Sequence, residues 1–338
     1  MTTTSKTATR SPYWSAGQII PTWRERLFSG EKPKRFRLAA EGPIADIPFG
    51  PGRILLIGGA PGSGKTSFIS QCVVDALRLD PGLGALVANV EMTETEILSR
   101  QLARLSGIPA ELIQDHSFGV EHHGRIEAGL AALDEVQERL FFVRSPIFFD
   151  GIAAAALDIR KAGIKDLIIV VDYIQRIPKS KQDKGDRRAI VDSAMTDSRR
   201  LAQAGFAVIV IAAVGRQRNS QGSSYSGSSM DLGAFRDSSE LEYGCDLGYI
   251  LAGEPHDPSR TLRHFKNRHG QLRDIALKFN GSVQRFDIDD FAVDLGAEET
   301  PPLKRQGRRQ KRDDEPAEMT PEAARAAIWG DSGKGGGI

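Results

Sequence analysis

The stretch Gly59-Ala60-Pro61-Gly62-Ser63-Gly64-Lys65-Thr66, entered from the apolar run Ile54-Leu55-Leu56-Ile57, constrains the fold more than any other part of the chain. The spacing G-x-x-x-x-G-K-T puts glycines where the backbone must curl so that successive N–H groups point inward, as around a phosphate. In such a loop, Gly59 to Thr66 together with Ser67 line the phosphate chain of a nucleotide. Lys65 reaches the β- and γ-phosphates and the Thr66 hydroxyl holds Mg²⁺, so ATP and Mg²⁺ are the expected ligands. A helix-compatible segment, Ser67 to Leu79, follows and presents its N-terminus to the phosphates. The alternative is a glycine-rich turn between strand and helix with no ligand.

Further apolar runs continue the pattern. Ala85–Val90, Leu140–Val143, Leu167–Val171 and Ala207–Ala213 read as buried strands. Helical patterns stand between them at Thr93–Leu105, Arg125–Arg139, Gly151–Ala162 and Arg187–Ala204, the first with Thr93 as N-cap and Glu96 as its capping-box partner. Alternation of this kind implies crossover connections and a mainly parallel twisted sheet with helices on both faces, an α/β fold. After Gly215 the texture changes. A Ser/Gly-rich loop, Asn219–Met230, precedes strand candidates at Leu247–Leu251, Arg263–Lys266, Ile275–Phe279 and Val283–Phe286, the last two around a turn at Asn280-Gly281. These add an antiparallel edge. We expect an arm over residues 1–48, polar at first and then amphipathic from Gln18 to Leu38, a domain over 49–290 and a charged tail over 291–338.

The 338 residues carry a formal net charge of +1, so any nucleic-acid partner must be argued from local patches. The two cysteines, Cys72 and Cys245, lack metal-ligand spacing and read as buried thiols in a reducing cytoplasmic setting. No signal peptide or membrane span is apparent.

Two carboxylates stand at strand ends. Asp172 closes five apolar residues and fits the acidic group that serves Mg²⁺ in phosphate-loop ATPases; otherwise it is a turn former. Glu91 is the candidate base that orients and deprotonates the attacking water; its alternative is a solvated acid favoured by a helix N-terminus.

Four motifs in order carry a resemblance: Asn89-Val90-Glu91-Met92 with Glu96, Leu98, Arg100 and Leu102; Val171-Asp172-Tyr173-Ile174-Gln175; Phe235 to Glu242 with Cys245-Asp246; and Lys266-Asn267-Arg268-His269-Gly270. Together, from about Phe49 to Phe286, they resemble the ATPase domain of DnaB-type hexameric helicases, which implies a RecA-like fold. The resemblance implies that Glu91 is the catalytic glutamate, Asp172 the Mg²⁺-associated aspartate and Gln175 a residue beside the nucleotide. It also implies that Lys266 and Arg268 enter the neighbouring subunit's ATP site, where cations supplied in trans offset the charge on the transferring phosphoryl group. Read without it, those two cations protect an exposed edge strand. Arg216 to Met230 corresponds to a central-channel loop, with Arg216 and Arg218 placed for phosphates of single-stranded DNA and Tyr225 for a base. The same run read alone is a flexible linker.

Two departures stand out. Ala213 occupies the strand end where the family places a glutamine that senses the γ-phosphate. Met1 to Gly58 is too short for the family's helical N-terminal domain, which leads to the expectation of a stand-alone motor domain from a phage, plasmid or other mobile element. In the tail, Lys304, Arg305, Arg308, Arg309, Lys311 and Arg312 form either a phosphate-binding cluster or a solvated charge run, and Met319–Trp329 a possible docking helix for another replication protein. The expected activity is an ATP-driven helicase or translocase acting as a homo-oligomeric ring, a hexamer by resemblance. The competing reading is an ATP-switched single-stranded-DNA binding or loading module that does not unwind, and a third is another RecA-fold ATPase.

Overall fold

The computed structural model describes residues 13–290 apart from 182–186, 215–216, 220–221, 225–238 and 255. The helices are α1 (Ala16–Phe28), α2 (Gly42–Ala45), α3 (Lys65–Leu79), α4 (Glu94–Ser106), α5 (Ala110–Gln114), α6 (His123–Asp134), α7 (Phe149–Lys161), α8 (Arg187–Gln203) and α9 (Ser239–Gly244). The strands are β1 (Ile54–Gly59), β2 (Leu83–Asn89), β3 (Leu140–Phe142), β4 (Asp166–Asp172), β5 (Ala207–Ala213), β6 (Gln217–Asn219), β7 (Gly222–Ser224), β8 (Leu247–Ala252), β9 (Ser259–Asn267), β10 (Ile275–Asn280) and β11 (Arg285–Ile288).

Nine of these strands form one sheet in the order β11-β10-β9-β8-β1-β5-β4-β2-β3. From β8 to β3 all neighbours are parallel; β9, β10 and β11 continue the β8 edge antiparallel. The parallel strands are continuous apolar runs because helices cover both faces. Alternation along β1 sorts the core into two layers. Leu55 and Ile57 pack with Phe68, Ile69, Cys72 and Leu77 of α3, whereas Ile54 and Leu56 pack with Ile152 of α7 and Val191, Met195 and Leu201 of α8. Both cysteines are free and buried. No helix among the described residues is long and apolar enough to cross a membrane.

Several boundaries differ from expectation for identifiable reasons. The first layer reaches back to Phe36, Leu38, Ile44 and Ile47, so the segment before residue 49 contributes to the core. Helix α6 stops at Asp134, short of the expected Arg139, whose Nη1 donates to the carbonyls of Leu77, Asp80 and Leu83 and pins the turn after α3. The final hairpin turns over four residues, Gly281 to Gln284, with Asn280 paired to Arg285. A two-residue turn would lose the register that sets Phe279 opposite Phe286, whose rings stack at 4.3 Å. In the expected Ser/Gly loop, β6 and β7 pair antiparallel.

Candidate nucleotide site

Parallel pairing brings the carboxyl ends of β1, β5, β4 and β2 to one edge of the sheet. Gly59 lies beside Ala213, and Asp172 lies between Ile211 and Asn89. Crevices at the carboxyl ends of such strands are where open α/β sheets bind ligands. The loop after β1 runs into α3 through Gly64, whose φ of +94° lies in the left-handed region that glycine tolerates. A Cβ at Gly64 would also come within 2.8 Å of the Phe286 ring, so the antiparallel edge packs directly on the loop. Ser67 Oγ donates to Gln284 Oε1 at 2.6 Å, and Gln71 exchanges two hydrogen bonds with the Phe286 backbone, which ties α3 to β11.

Within the loop, Lys65 Nζ donates to the carbonyls of Gly59 and Ala60 at 2.9 and 2.7 Å. The buried Ser63 hydroxyl has no hydrogen-bond partner among the described residues. A phosphate oxygen would serve both groups: it accepts from the ammonium and from the hydroxyl, which is the fit expected for a nucleotide.

At the adjacent strand ends, Thr66 Oγ1 and Asn89 Nδ2 each donate to Asp172 Oδ2 at 2.7 Å. The Asp172 Oδ1 atom takes neither bond, so a hydroxyl and a carboxylate oxygen stand together as a hard oxygen pair suited to Mg²⁺. Asn89 Oδ1 in turn accepts from the backbone N–H of Glu91 and Met92, at 2.9 and 2.8 Å, and so sets how the chain leaves β2. Glu91 itself is exposed at the mouth of the cleft.

The cleft measures about 460 Å³ and is lined by the loop, Glu91, Asp172 and Ala213, and also by Arg100, Phe279 and Gln284. These last three were not expected as site residues. Arg100 was legible in part, since Thr93, Glu96 and Arg100 recur at helical spacing on the face of α4 that starts beside Glu91. Phe279 and Gln284 arrive only through the β10–β11 hairpin, and nothing local in the sequence marks them. Gln175, expected beside the nucleotide, is buried in the single turn Ile174–Arg176 and is not among the lining residues. Its amide instead closes on the Ala213 backbone, donating to the carbonyl at 2.9 Å and accepting from the N–H at 3.2 Å.

Burial sets the charges here. Desolvation pulls the Lys65 ammonium down to about 8, against the opposing pull of Asp172 and Glu91. Desolvation pushes the Asp172 carboxyl up to about 6, opposed by the Thr66 hydrogen bond and the Lys65 charge. A bound polyanion favours charged Lys65, so raising the pH past that value withdraws the cation; lowering the pH through the Asp172 value protonates the carboxylate needed for Mg²⁺. We predict that Mg²⁺–nucleotide affinity is flat between these two pKa values and falls outside them by up to about tenfold per pH unit. A fluorescent-nucleotide titration across that range checks this, and a profile flat throughout would contradict the assignment of both groups.

Lys266 and Arg268 lie elsewhere. Asn267 pairs with Leu247 at the start of β8, and Arg268 N–H donates to Asp246 O at 3.0 Å. Asp246 Oδ2 accepts from the Ile54 N–H at 2.8 Å, at the opposite end of β1 from the phosphate loop. The length of β1, roughly 16 Å, therefore separates these cations from the loop of their own chain. Lys266 Nζ donates to the carbonyls of Glu242 and Tyr243, and Arg268 Nη2 to Tyr243 O at 2.7 Å, both at the C-terminal end of α9 where cations are favoured. Arg216, Tyr225, the first four residues of the Phe235–Glu242 motif and the basic tail lie outside the described residues. Arg218 lies on β6.

A glycine loop between a parallel strand and a helix, a lysine and a threonine at its end, and an aspartate two strands away on the sheet define a phosphate-loop nucleotide-binding protein of RecA-like fold. Residues 48–288 match the family described as DnaB-like helicase C terminal domain, and the chain belongs to that family. It is 24% identical over 238 residues to a probable plasmid replicative DNA helicase of Chlamydia trachomatis serovar L2, across 70% of this chain and 50% of that protein. It is 25% identical over 244 residues to the replicative DNA helicase DnaB of Buchnera aphidicola from Acyrthosiphon pisum, across 69% and 51%. The chain thus spans about half the length of the curated relatives it matches. Among solved structures, the fold superposes on an isolated ATPase domain with a TM-score of 0.69 at 18% identity, covering 82% of this chain and 99% of that one. A DnaB-like replicative helicase, described together with its interactions with primase, superposes with a TM-score of 0.66 at 18% identity, covering 82% and 67%.

Proposed function

We propose that this chain is the ATP-hydrolysing motor of a DnaB-type replicative helicase that works as a ring, with the family's hexamer as the expected size, on single-stranded DNA. The observation that carries this reading is the division of the site. One edge of the sheet gathers the loop, Thr66, Asp172 and Glu91, whereas Lys266 and Arg268 sit at the other edge, out of reach of that loop but free to face a second copy.

Each side chain then has a role. The loop N–H groups and Lys65 hold the β- and γ-phosphates. Thr66 and Asp172 hold Mg²⁺, which when bound neutralises charge between those phosphates. Glu91, exposed and adjoining the cleft, orients water for in-line attack and takes its proton. Arg100 adds a cation from the same chain, and Lys266 and Arg268 add cations from the neighbour as charge develops on the phosphoryl oxygens. Phe279 offers a flat apolar face for the base. Arg216, Arg218 and Tyr225 are the DNA contacts, and other replication proteins, a primase among them, are partners by family likeness.

A second reading, an ATP-switched DNA-binding or loading protein without unwinding, is favoured by one feature. Ala213 presents a methyl group to the cleft, and its backbone groups are already engaged by Gln175, so that strand end offers the γ-phosphate no side-chain donor. A forked-duplex assay with ATP separates the two. We expect strand separation and DNA-stimulated hydrolysis, both lost in Lys65→Ala. Stimulated hydrolysis with no strand separation at any protein concentration would select the second reading.

A further inference from the structure

Behind the Thr66–Asp172 pair lies a second, interior cavity of about 20 Å³, enough for about one water molecule. Its walls are mostly apolar, from Ile69, Val73, Val87 and Val170, but Thr66, Asn89 and Asp172 reach it from one side and Gln101 from another. Gln101 is fully buried, and its orientation is fixed. Arg104 Nε, which can only donate, donates to Gln101 Oε1 at 2.9 Å, and Arg104 is itself held by Asp75 of α3 at 2.9 Å. The amide oxygen is therefore turned to Arg104 and the NH₂ group is left for the cavity. Gln101 Nε2 has no hydrogen-bond partner among the described residues, and a buried amide without one costs about 1–3 kcal/mol.

We propose that Gln101 is a positioning residue for the Mg²⁺-holding pair, acting through one buried water that accepts from Gln101 Nε2 and donates to the oxygens of Thr66 and Asp172. This rests on the assignment of Thr66 and Asp172 to Mg²⁺. The bridge joins Asp75, Arg104 and Gln101, across α3 and α4, to the ends of β2 and β4. Helix α4 also carries Arg100 into the cleft, so the helix that supplies a cation is tied to the strands that supply the metal pair. Partners one step behind metal ligands typically change metal affinity by on the order of tenfold or more when removed.

The test is fluorescent-nucleotide binding with Mg²⁺ varied and with Mg²⁺ chelated, comparing wild type with Gln101→Met, which keeps the side chain's length and removes its donors. The expected result is a Mg²⁺ midpoint raised on the order of tenfold, with affinity in chelator unchanged. An unchanged midpoint in a folded variant overturns the proposal. A wild type that binds nucleotide equally well with and without Mg²⁺ overturns instead the metal assignment beneath it. Should Gln101→Met not fold, a high-resolution crystal structure of the wild type decides. Ordered water within hydrogen-bond distance of Gln101 Nε2 and of a Thr66 or Asp172 oxygen supports the bridge, and a dry cavity overturns it.

Discussion

Replacing Glu91 by Gln should lower ATP turnover by a factor on the order of 10² to 10⁴ while leaving nucleotide binding close to wild type. The size follows from what the substitution removes. Gln keeps the length and shape of the side chain but cannot accept the proton of the attacking water, so only the general-base contribution is lost. Binding survives because the phosphates are held by the loop, Lys65 and Thr66, and because Asn89 holds the backbone N–H of residue 91 whatever its side chain. The fold survives because the side chain is exposed. Single-turnover hydrolysis beside equilibrium nucleotide binding measures both quantities. Parallel loss of binding would mean that Glu91 supports the loop, and unchanged turnover would return it to the solvated helix-start acid that the sequence also allowed.

The second large effect concerns Arg268. Its guanidinium is half exposed and stands 3.6 Å from Asp246, a contact worth about 0–1 kcal/mol. Asp246 keeps its other partners, Arg199 Nη1 at 2.9 Å and the Ile54 N–H. Arg268→Ala should therefore fold, bind nucleotide and yet hydrolyse ATP about 10³-fold or more slowly, since a cation delivered to a phosphoryl-transfer site is worth that much. Turnover close to wild type would reduce Arg268 to a charge on a sheet edge.

How much of this was legible in the sequence depended on whether the cause was local. The phosphate loop, the α4 capping box and the buried parallel strands announce themselves because backbone geometry and two-sided burial act on neighbouring residues. The Thr93–Glu96 box forms as expected, with the Thr93 side chain accepting from the Glu96 N–H and the Glu96 side chain reaching back. Asn89 was visible only as part of a motif; its grip on Asp172 depends on β2 and β4 pairing in one register. Phe279 and Gln284 enter the cleft because Phe286 seats on Gly64, a contact between residues more than two hundred positions apart. Family likeness places Gln175 beside the nucleotide, whereas its amide is engaged by Ala213, a residue whose own identity departs from the family pattern.

The central claim is that a working site is assembled from two copies of the chain, and mixing two inactive variants tests it most directly. Glu91→Gln retains its trans cations, and Arg268→Ala retains its loop and base. In an equal mixture that exchanges subunits, about a quarter of the interfaces pair an intact Glu91 with an intact Arg268. The account predicts that ATP turnover per subunit, near background for each variant alone, returns to about a quarter of the wild-type value in the mixture. Turnover that stays at background in demonstrably mixed assemblies would contradict it and place both residues in the service of their own chain.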